Sequence, residues 1–444
     1  MKIFILILFI LTFAIIIALP KYKTIVTGIS ALIASVACAI GGFTKWYGAF
    51  LAIDYNVILM LVGIMITVGL FSESGMPNML AEKLMSKMPN SLVALVLLSV
   101  LSGVISAFMD NVATVLMLAP IGFAVAKKIG VSPIPVLISI SVSSNLQGAA
   151  TLVGDTTSVM LGGFAGMGFF EFFFLDGKFS IFWAVEIGML LTIPVIIFIF
   201  RKNNHKLNYI PEKIEISTVF PTVILLINMV VLACLSFVQN KPEISNGLVC
   251  LFFGIICFVY HLFTYKKKMV KEDGTEEFIS DKTNAFKGAI NTIDYSTVFF
   301  LIFLFIVIGT VESVGIINDI SSFFVSIGSS NVFLLYTLIV FGSVLISAFI
   351  DNIPYVATML PVIKGLMAGL PGVSPYLMYF GLLCGATLGG NITPVGASAN
   401  VVAIGVLNKE GYNVKTSDFL KIGLPFTLVA VLGGYLFCWF VWGM

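Results

Sequence analysis

A fifteen-residue segment occurs twice in this chain, as SAFMDNVATVLMLAP at 106–120 and as SAFIDNIPYVATMLP at 347–361. Both copies carry an Asp-Asn pair inside an apolar run. A carboxylate is costly within a bilayer, so a duplicated one restricts the fold more than any other feature here. The repeat reaches well beyond this segment. Asp54-Tyr55 and Asp294-Tyr295 each begin an apolar run, and those runs reach Gly69 and Gly309. Glu73-Ser74 and Glu312-Ser313 follow, then Asp110-Asn111 and Asp351-Asn352. TLVGDTTS at 151–158 matches TPVGASAN at 393–400. The offset between partners stays near 240 residues throughout, which identifies an internal duplication.

Apolar stretches near 20 residues, each enough to span about 30 Å of hydrocarbon, recur from end to end. Of the 444 residues, 59% are hydrophobic and 10% charged, against about 25% charged in a soluble domain. The chain reads as an all-α polytopic membrane protein whose helices satisfy their own backbone groups. Its net charge of +2 gives no sign of a nucleic-acid partner, because the basic residues fall in short loops, where they report orientation.

The six cysteines, at 38, 234, 250, 257, 384 and 438, lie in apolar runs without CxxC spacing and read as small buried side chains. His205 and His261 have no metal-ligating residue at suitable spacing. No Ser/His/Asp or Cys/His set suggests covalent catalysis, and no P-loop offers ATP as an energy source. The expectation is a protein that is not an enzyme and needs no cofactor beyond sodium or a proton as coupling ion. Residues 3–19 lack a small-x-small cleavage site and are followed by Lys21 and Lys23, so they read as a retained first helix.

The duplication suggests four parts. Residues 1–53 hold two transmembrane helices (3–19 and 24–42), and 54–200 form the first repeat. Residues 201–293 hold linking helices (218–238 and 246–265) and cytoplasmic loops, and 294–442 form the second repeat. Each repeat reads as helix, amphipathic segment, Asp-Asn hairpin (91–126 or 332–369), Gly-broken helix (134–174 or 376–407) and helix. Suppose each hairpin has both ends on one side and every other long run crosses once. Nineteen of the Lys and Arg residues then share a face, while Lys2, Lys45, Lys178, Lys241 and Lys364 fall opposite. The richer face is assigned to the cytoplasm. This places both termini outside a plasma membrane and makes the halves an inverted-topology repeat, as in many secondary transporters. The run KKKMVKEDGTEEFISDK at 266–282 reads as a solvated loop.

Two readings of the Asp-Asn pairs stand. As outer turns they would cap two full helices, although no Gly or Pro cluster marks a turn. As tips of re-entrant hairpins they would lie near the midplane, where irregular backbone is tolerated only when buried in protein or lining a wet cavity. The second pair of motifs, SNLQGAATLVGDTTSVMLGG at 144–163 and GATLGGNITPVGASANVVAIG at 385–405, favours the latter. Helix packing through small residues explains their glycines. It does not explain Asp155, Asn391 and Asn400, whereas helices unwound at midplane would expose carbonyls and hydroxyls to an ion.

These hairpins, together with GAATLVGD and GGNITPVGASANVV, resemble the ArsB/NhaD permeases of the ion transporter superfamily, with the P protein branch nearest in flavour. The resemblance covers nearly the whole chain. It implies a fold like the divalent anion–sodium symporters and transport of arsenite or antimonite, sodium against protons, silicate, or organic anions. By position, Asp110, Asn111, Asp351 and Asn352 take the hairpin-tip roles. Asn145, Thr151, Gly154, Asp155 and Thr156 line the first break; Asn391, Thr393, Gly396, Ser398 and Asn400 line the second. One departure stands out: the family commonly reads Gly-Asp-Pro-Pro-Asn where this chain has Gly154-Asp155-Thr156-Thr157-Ser158.

The motif regions carry carboxylates and no Lys, Arg or His, which suits a hard cation. Sodium is expected at Asp110, Asp155, Asp351 and Asn391. The function expected is secondary active transport of an inorganic ion coupled to sodium or protons, of the arsenite/antimonite efflux or sodium–proton antiport type. Sodium-coupled symport of a di- or tricarboxylate or sulfate ranks second and an ion channel third. The partners expected are a small inorganic ion or small anion and the lipid bilayer, with homodimerisation left open.

Overall fold

The computed structural model describes residues 1–444 except Trp46, His205, 207–212, 271–275 and 329–330, with backbone alone at Pro20, 266–270, 276–280 and Gly328. His205 and Lys271 therefore lie outside the described residues. Helices α1 (Lys2–Ala18), α2 (Lys23–Ile40) and the one-turn α3 (Gly48–Leu51) lead into the first repeat. There α4 (Tyr55–Glu73) and the amphipathic α5 (Met76–Met85) precede a hairpin of α6 (Ser91–Ser106) and α7 (Asn111–Ile129). An interrupted helix follows, α8 (Pro133–Gly148) then α9 (Thr156–Ala165). The ribbon β1 (Phe174–Leu175) and β2 (Lys178–Phe179) leads to α10 (Ile181–Phe200). The link comprises α11 (Phe220–Leu235), α12 (Ser245–Thr264), the ribbon β3 (Lys266–Val270) and β4 (Glu276–Ser280), and α13 (Lys282–Asn291).

The second repeat has the same helix order. It runs through α14 (Tyr295–Ser313), α15 (Ile316–Gly328), the hairpin of α16 (Val332–Ser347) and α17 (Asn352–Ala368), the interrupted pair α18 (Pro375–Gly389) and α19 (Ser398–Lys409), and α20 (Thr416–Trp442). Seven of the described helices are long and apolar enough to cross a membrane. One expectation changes in detail. The first broken helix ends at Ala165 and not near residue 174, because Gly166 adopts φ +67° and closes α9. Within the 266–282 loop, 266–270 pairs antiparallel with 276–280.

The duplicated acids are, first of all, helix caps. Asp54 and Asp294 accept from Val57 N and Thr297 N at the starts of α4 and α14. Asn90 and Asn331 do the same for α6 and α16, accepting from Val93 N and Leu334 N at 2.9 Å each. Asp110 accepts from Val112 N and Ala113 N, and Asp351 from Ile353 N. A side-chain oxygen at each N-cap satisfies an amide that the helix itself leaves unpaired. Helices α6 and α16 have 16 residues each, about 24 Å of rise, too short to cross about 30 Å of hydrocarbon. Their Asp-Asn tips end inside the protein, with Asn111 and Asn352 buried.

Helices α8 and α18 form the centre. All residues from Val136 to Gly148 and from Leu377 to Gly389 are buried. Enclosure explains why α8 tolerates Ser139, Ser141, Ser143, Ser144, Asn145 and Gln147: polar side chains in a membrane protein face the bundle interior. The two helices enter from opposite faces. On one face lie Lys127 and Lys128 at the end of α7, Phe123 against Tyr412 just beyond α19, and the bridge between Asn90 and Lys206. Helix α8 starts there, four residues after α7 ends. On the other face Lys178 donates to Val441 O, Trp442 donates to Phe179 O, and Tyr376 at the start of α18 packs on Trp442. The C-terminal ends of α8 and α18 then meet, where Asn145 donates to Thr387 O at 2.8 Å. Opposed entry with tips meeting is the inverted-repeat arrangement.

The cytoplasmic assignment of the lysine-rich face yields a direct expectation. Single cysteines replacing the exposed Lys202 and Lys178, in a background without native cysteines, label from opposite sides of the membrane, with Lys178→Cys reached by an impermeant maleimide on intact cells. Labelling of both from one side would refute the inversion.

Candidate functional site

A cavity of about 1060 Å³ runs from the lysine-rich face to the hairpin tips. Its lining includes the end of α4 at Ser72 and Glu73, Lys23 at the start of α2, and Asp294 at the start of α14. Ser74 O accepts from Ser217 N, which ties the end of α4 to the segment after α10 on that face. Farther in, the lining takes Asp110 and Asn111 from the first tip, Gly154, Asp155, Thr156 and Thr157 from the first break, and Asn352 and Ser398 from the second repeat. Of the fourteen residues expected at the site, seven line this cavity: Asp110, Asn111, Gly154, Asp155, Thr156, Asn352 and Ser398. The others, Asn145, Thr151, Asp351, Asn391, Thr393, Gly396 and Asn400, stand behind it.

Those behind it hold the two breaks together. Asn111 Nδ2 donates to Asn145 Oδ1 at 3.0 Å, and Asn145 Nδ2 donates to Asn391 Oδ1 at 3.0 Å. Asn391 Nδ2 donates back to Val142 O, and Ser141 Oγ donates to Asn400 Oδ1 at 2.5 Å. Asn391, expected as a sodium ligand, thus has both ends of its amide committed to the first repeat. Thr151 donates to Ala107 O and Thr393 to Ala348 O, so each break is pinned to its own hairpin tip by equivalent bonds. Gly396 is required by the same closeness: a Cβ there would sit 2.6 Å from Gly390 O and 2.7 Å from Ser347 O.

The departure at 156–158 also finds its explanation. Ser158 Oγ donates to Gly148 O at 3.1 Å, and in the second repeat Asn400 Nδ2 donates to Gly390 O at 3.1 Å. Serine makes in one half the bond that asparagine makes in the other. Thr157 donates to Asp155 Oδ1 at 2.7 Å and lies 3.1 Å from Thr387 Oγ1 across the repeat boundary.

Asp155 caps α9, its Oδ1 accepting from Ser158 N at 2.7 Å. Its Oδ2 is buried without a hydrogen-bond partner among the described residues. A carboxylate oxygen in that condition costs free energy unless a cation or proton meets it. Asp351 is treated differently. Its Oδ2 accepts from Ser398 Oγ at 3.0 Å and lies 3.6 Å from Lys23 Nζ. The ammonium also sits 5.3 Å from the centroid of the Phe300 ring. Sequence reasoning missed Lys23 here and counted it among loop lysines, because it lies outside both repeats and no duplicated partner signals it.

The fold and this geometry agree with what the chain resembles. The citrate transporter profile (CitMHS) matches residues 6–383 and 284–444. The chain belongs to the citrate transporter family. An uncharacterised transporter of Mycobacterium tuberculosis is 28% identical over 95% of both chains. The human P protein is 25% identical over 95% of this chain and 58% of its own length. Among solved structures, the YdaH transporter of Alcanivorax borkumensis superposes with a TM-score of 0.58 at 15% identity, covering 90% of this chain and 88% of that one. MtrF of Neisseria gonorrhoeae gives 0.55 at 16% identity, covering 92% and 84%. At such identities these two show the fold alone. The family is one of transporters, and this member is an all-α, multi-pass membrane protein.

Proposed function

We propose that the protein is a secondary active transporter that moves a small anion, coupled to sodium or protons, by alternating access. The observation that carries this reading is a cavity with both signs of charge. Lys23 stands on one wall, and Asp110 and Asp155 stand near the unwound ends of α8 and α9. An anion alone would be repelled by the acids, and a cation alone would be repelled by Lys23 on the same wall. Together the two ligands match what the walls present. The citrate transporter family points the same way, and it lifts anion symport above the inorganic-ion exchange that the motifs alone ranked first.

A second reading rests on Asp155 Oδ2, whose lack of a partner suits a site for a cation alone, as in sodium–proton exchange. The kinship with ArsB/NhaD permeases, arsenite transport, residence in the plasma membrane and outward termini belong to the same set of proposals. The test is uptake by proteoliposomes of radiolabelled citrate, sulfate and arsenite under imposed sodium or pH gradients. Accumulation of citrate or sulfate that collapses when choline replaces sodium, or when the pH gradient is dissipated, is the expected result. If neither anion moves faster than in protein-free vesicles while sodium exchanges for protons, anion transport is wrong and the exchanger reading replaces it.

A further inference from the structure

The two half-sites are alike in backbone and unlike in charge. The first has Asp110 and Asp155. The second has Asp351 and, at the position of Asp155, Ala397. Lys23 reaches Asp351 from α2, outside both repeats, and each side chain of the pair is about one-fifth exposed, at 19% and 21%. Helix α14 supplies the face of Phe300 beneath the ammonium, and α19 supplies Ser398 to the same carboxylate oxygen. The other charged side chains lining the cavity are Glu73, Asp110, Asp155 and Asp294, all acids. Lys23 is thus the one cation among the described lining residues, and its nearest acid is Asp351, one layer behind the wall.

We propose that Lys23 is a tethered cation that couples anion binding to cation binding at Asp351. This rests on the anion-transport reading above. In the empty site Lys23 neutralises Asp351. An anion entering from the open face finds one cationic group, and pairing with it draws Lys23 off Asp351. That leaves a mostly buried carboxylate uncompensated, which is unfavourable until a sodium ion or a proton takes the vacated place. Asp351 Oδ2 keeps the Ser398 hydroxyl as a further neighbour for that ion. At the Lys23–Asp351 pair, counting the one negative charge of the anion that meets Lys23, anion without cation or cation without anion therefore leaves one unpaired charge. Both together leave none at that pair, and so does the empty state. Obligatory co-transport then follows from charge balance in the two occupancies that are free to cross, without any contact between the transported species.

The account makes a claim that needs no knowledge of the anion. Lys23→Met frees Asp351 permanently, so Asp351 gains an affinity for sodium or protons that it lacks in the native chain in the absence of substrate. The probes are sodium alone, titrated against choline, and pH, with thermal melting of the detergent-purified full-length protein as readout. Lys23→Met is expected to melt lower than the native chain in choline at pH 8. Either sodium or acidification should recover the loss, with sodium acting at concentrations at least about tenfold below those that shift the native protein. Lys23→Met/Asp351→Asn removes both charges, and its melting should return to the native dependence on sodium and pH. Should Lys23→Met express only in sodium or at low pH, that dependence is the same result. If Lys23→Met responds to sodium and pH no more than the native chain does, Lys23 does not hold the place of a coupling ion, while the transport reading stands. If the native chain moves no anion under either gradient, the transport reading fails whatever Lys23→Met does.

Discussion

Asp155→Asn is expected to lower transport by roughly a hundredfold while leaving a folded protein in the membrane. Asparagine is as good an N-cap as aspartate, so the bond from Ser158 N that starts α9 survives the substitution. The Thr157 hydroxyl keeps an acceptor as well. What disappears is the charge and the unpartnered Oδ2. Removing one partner of a buried charge interaction costs roughly 3 kcal/mol, which is about a hundredfold in affinity for whatever cation it holds. Asp155→Ala removes the cap too and should cost about 1 kcal/mol of stability in addition. The measurements are sodium- or proton-driven uptake in proteoliposomes and thermal melting of the same preparations. Near-native transport by Asp155→Asn would show that the orphaned oxygen faces a structural vacancy and not the coupling ion.

Much of this architecture was legible in the sequence because the repeat displays it twice. Asp-Asn at a constant offset, and glycine-rich polar stretches where continuous helix was expected, marked the tips and breaks to within a few residues. The caps were less visible. Asn90 and Asn331 also recur at the common offset, yet a lone Asn before an apolar run is ordinary turn chemistry and drew no notice. The division of labour among the polar residues was not visible at all. Asn145, Asn391 and Asn400 look like ligands by type, and only three dimensions reveal that each also makes a side-chain hydrogen bond between the halves. Lys23 was hidden for a different reason. A duplication signals what both halves share, and Lys23 is what makes them differ. A two-fold pattern in sequence therefore reports the scaffold well and the functional asymmetry poorly.

That asymmetry predicts opposite stability effects for two substitutions that look identical. Asp110→Asn and Asp351→Asn each replace a hairpin-tip carboxylate by an amide that still caps its helix. Both should abolish coupled transport, since each takes a negative charge from the site. At the first tip Asp110 has no cationic partner among its described contacts; Oδ1 accepts two backbone amides, and Asp155 and Asp294 share the cavity with it. Removing that charge relieves like-charge repulsion, so Asp110→Asn should melt at or above the native temperature. At the second tip the lost charge strands Lys23, 3.6 Å away, among apolar neighbours such as Phe300. Asp351→Asn should therefore lose roughly 1–3 kcal/mol, less than a fully buried pair would because both side chains are about one-fifth exposed. Adding Lys23→Met to Asp351→Asn should recover most of that loss. Melting curves of the three variants in one detergent decide the matter. Equal stability of Asp110→Asn and Asp351→Asn would mean that the ion pair contributes nothing and that the two half-sites are electrostatically alike.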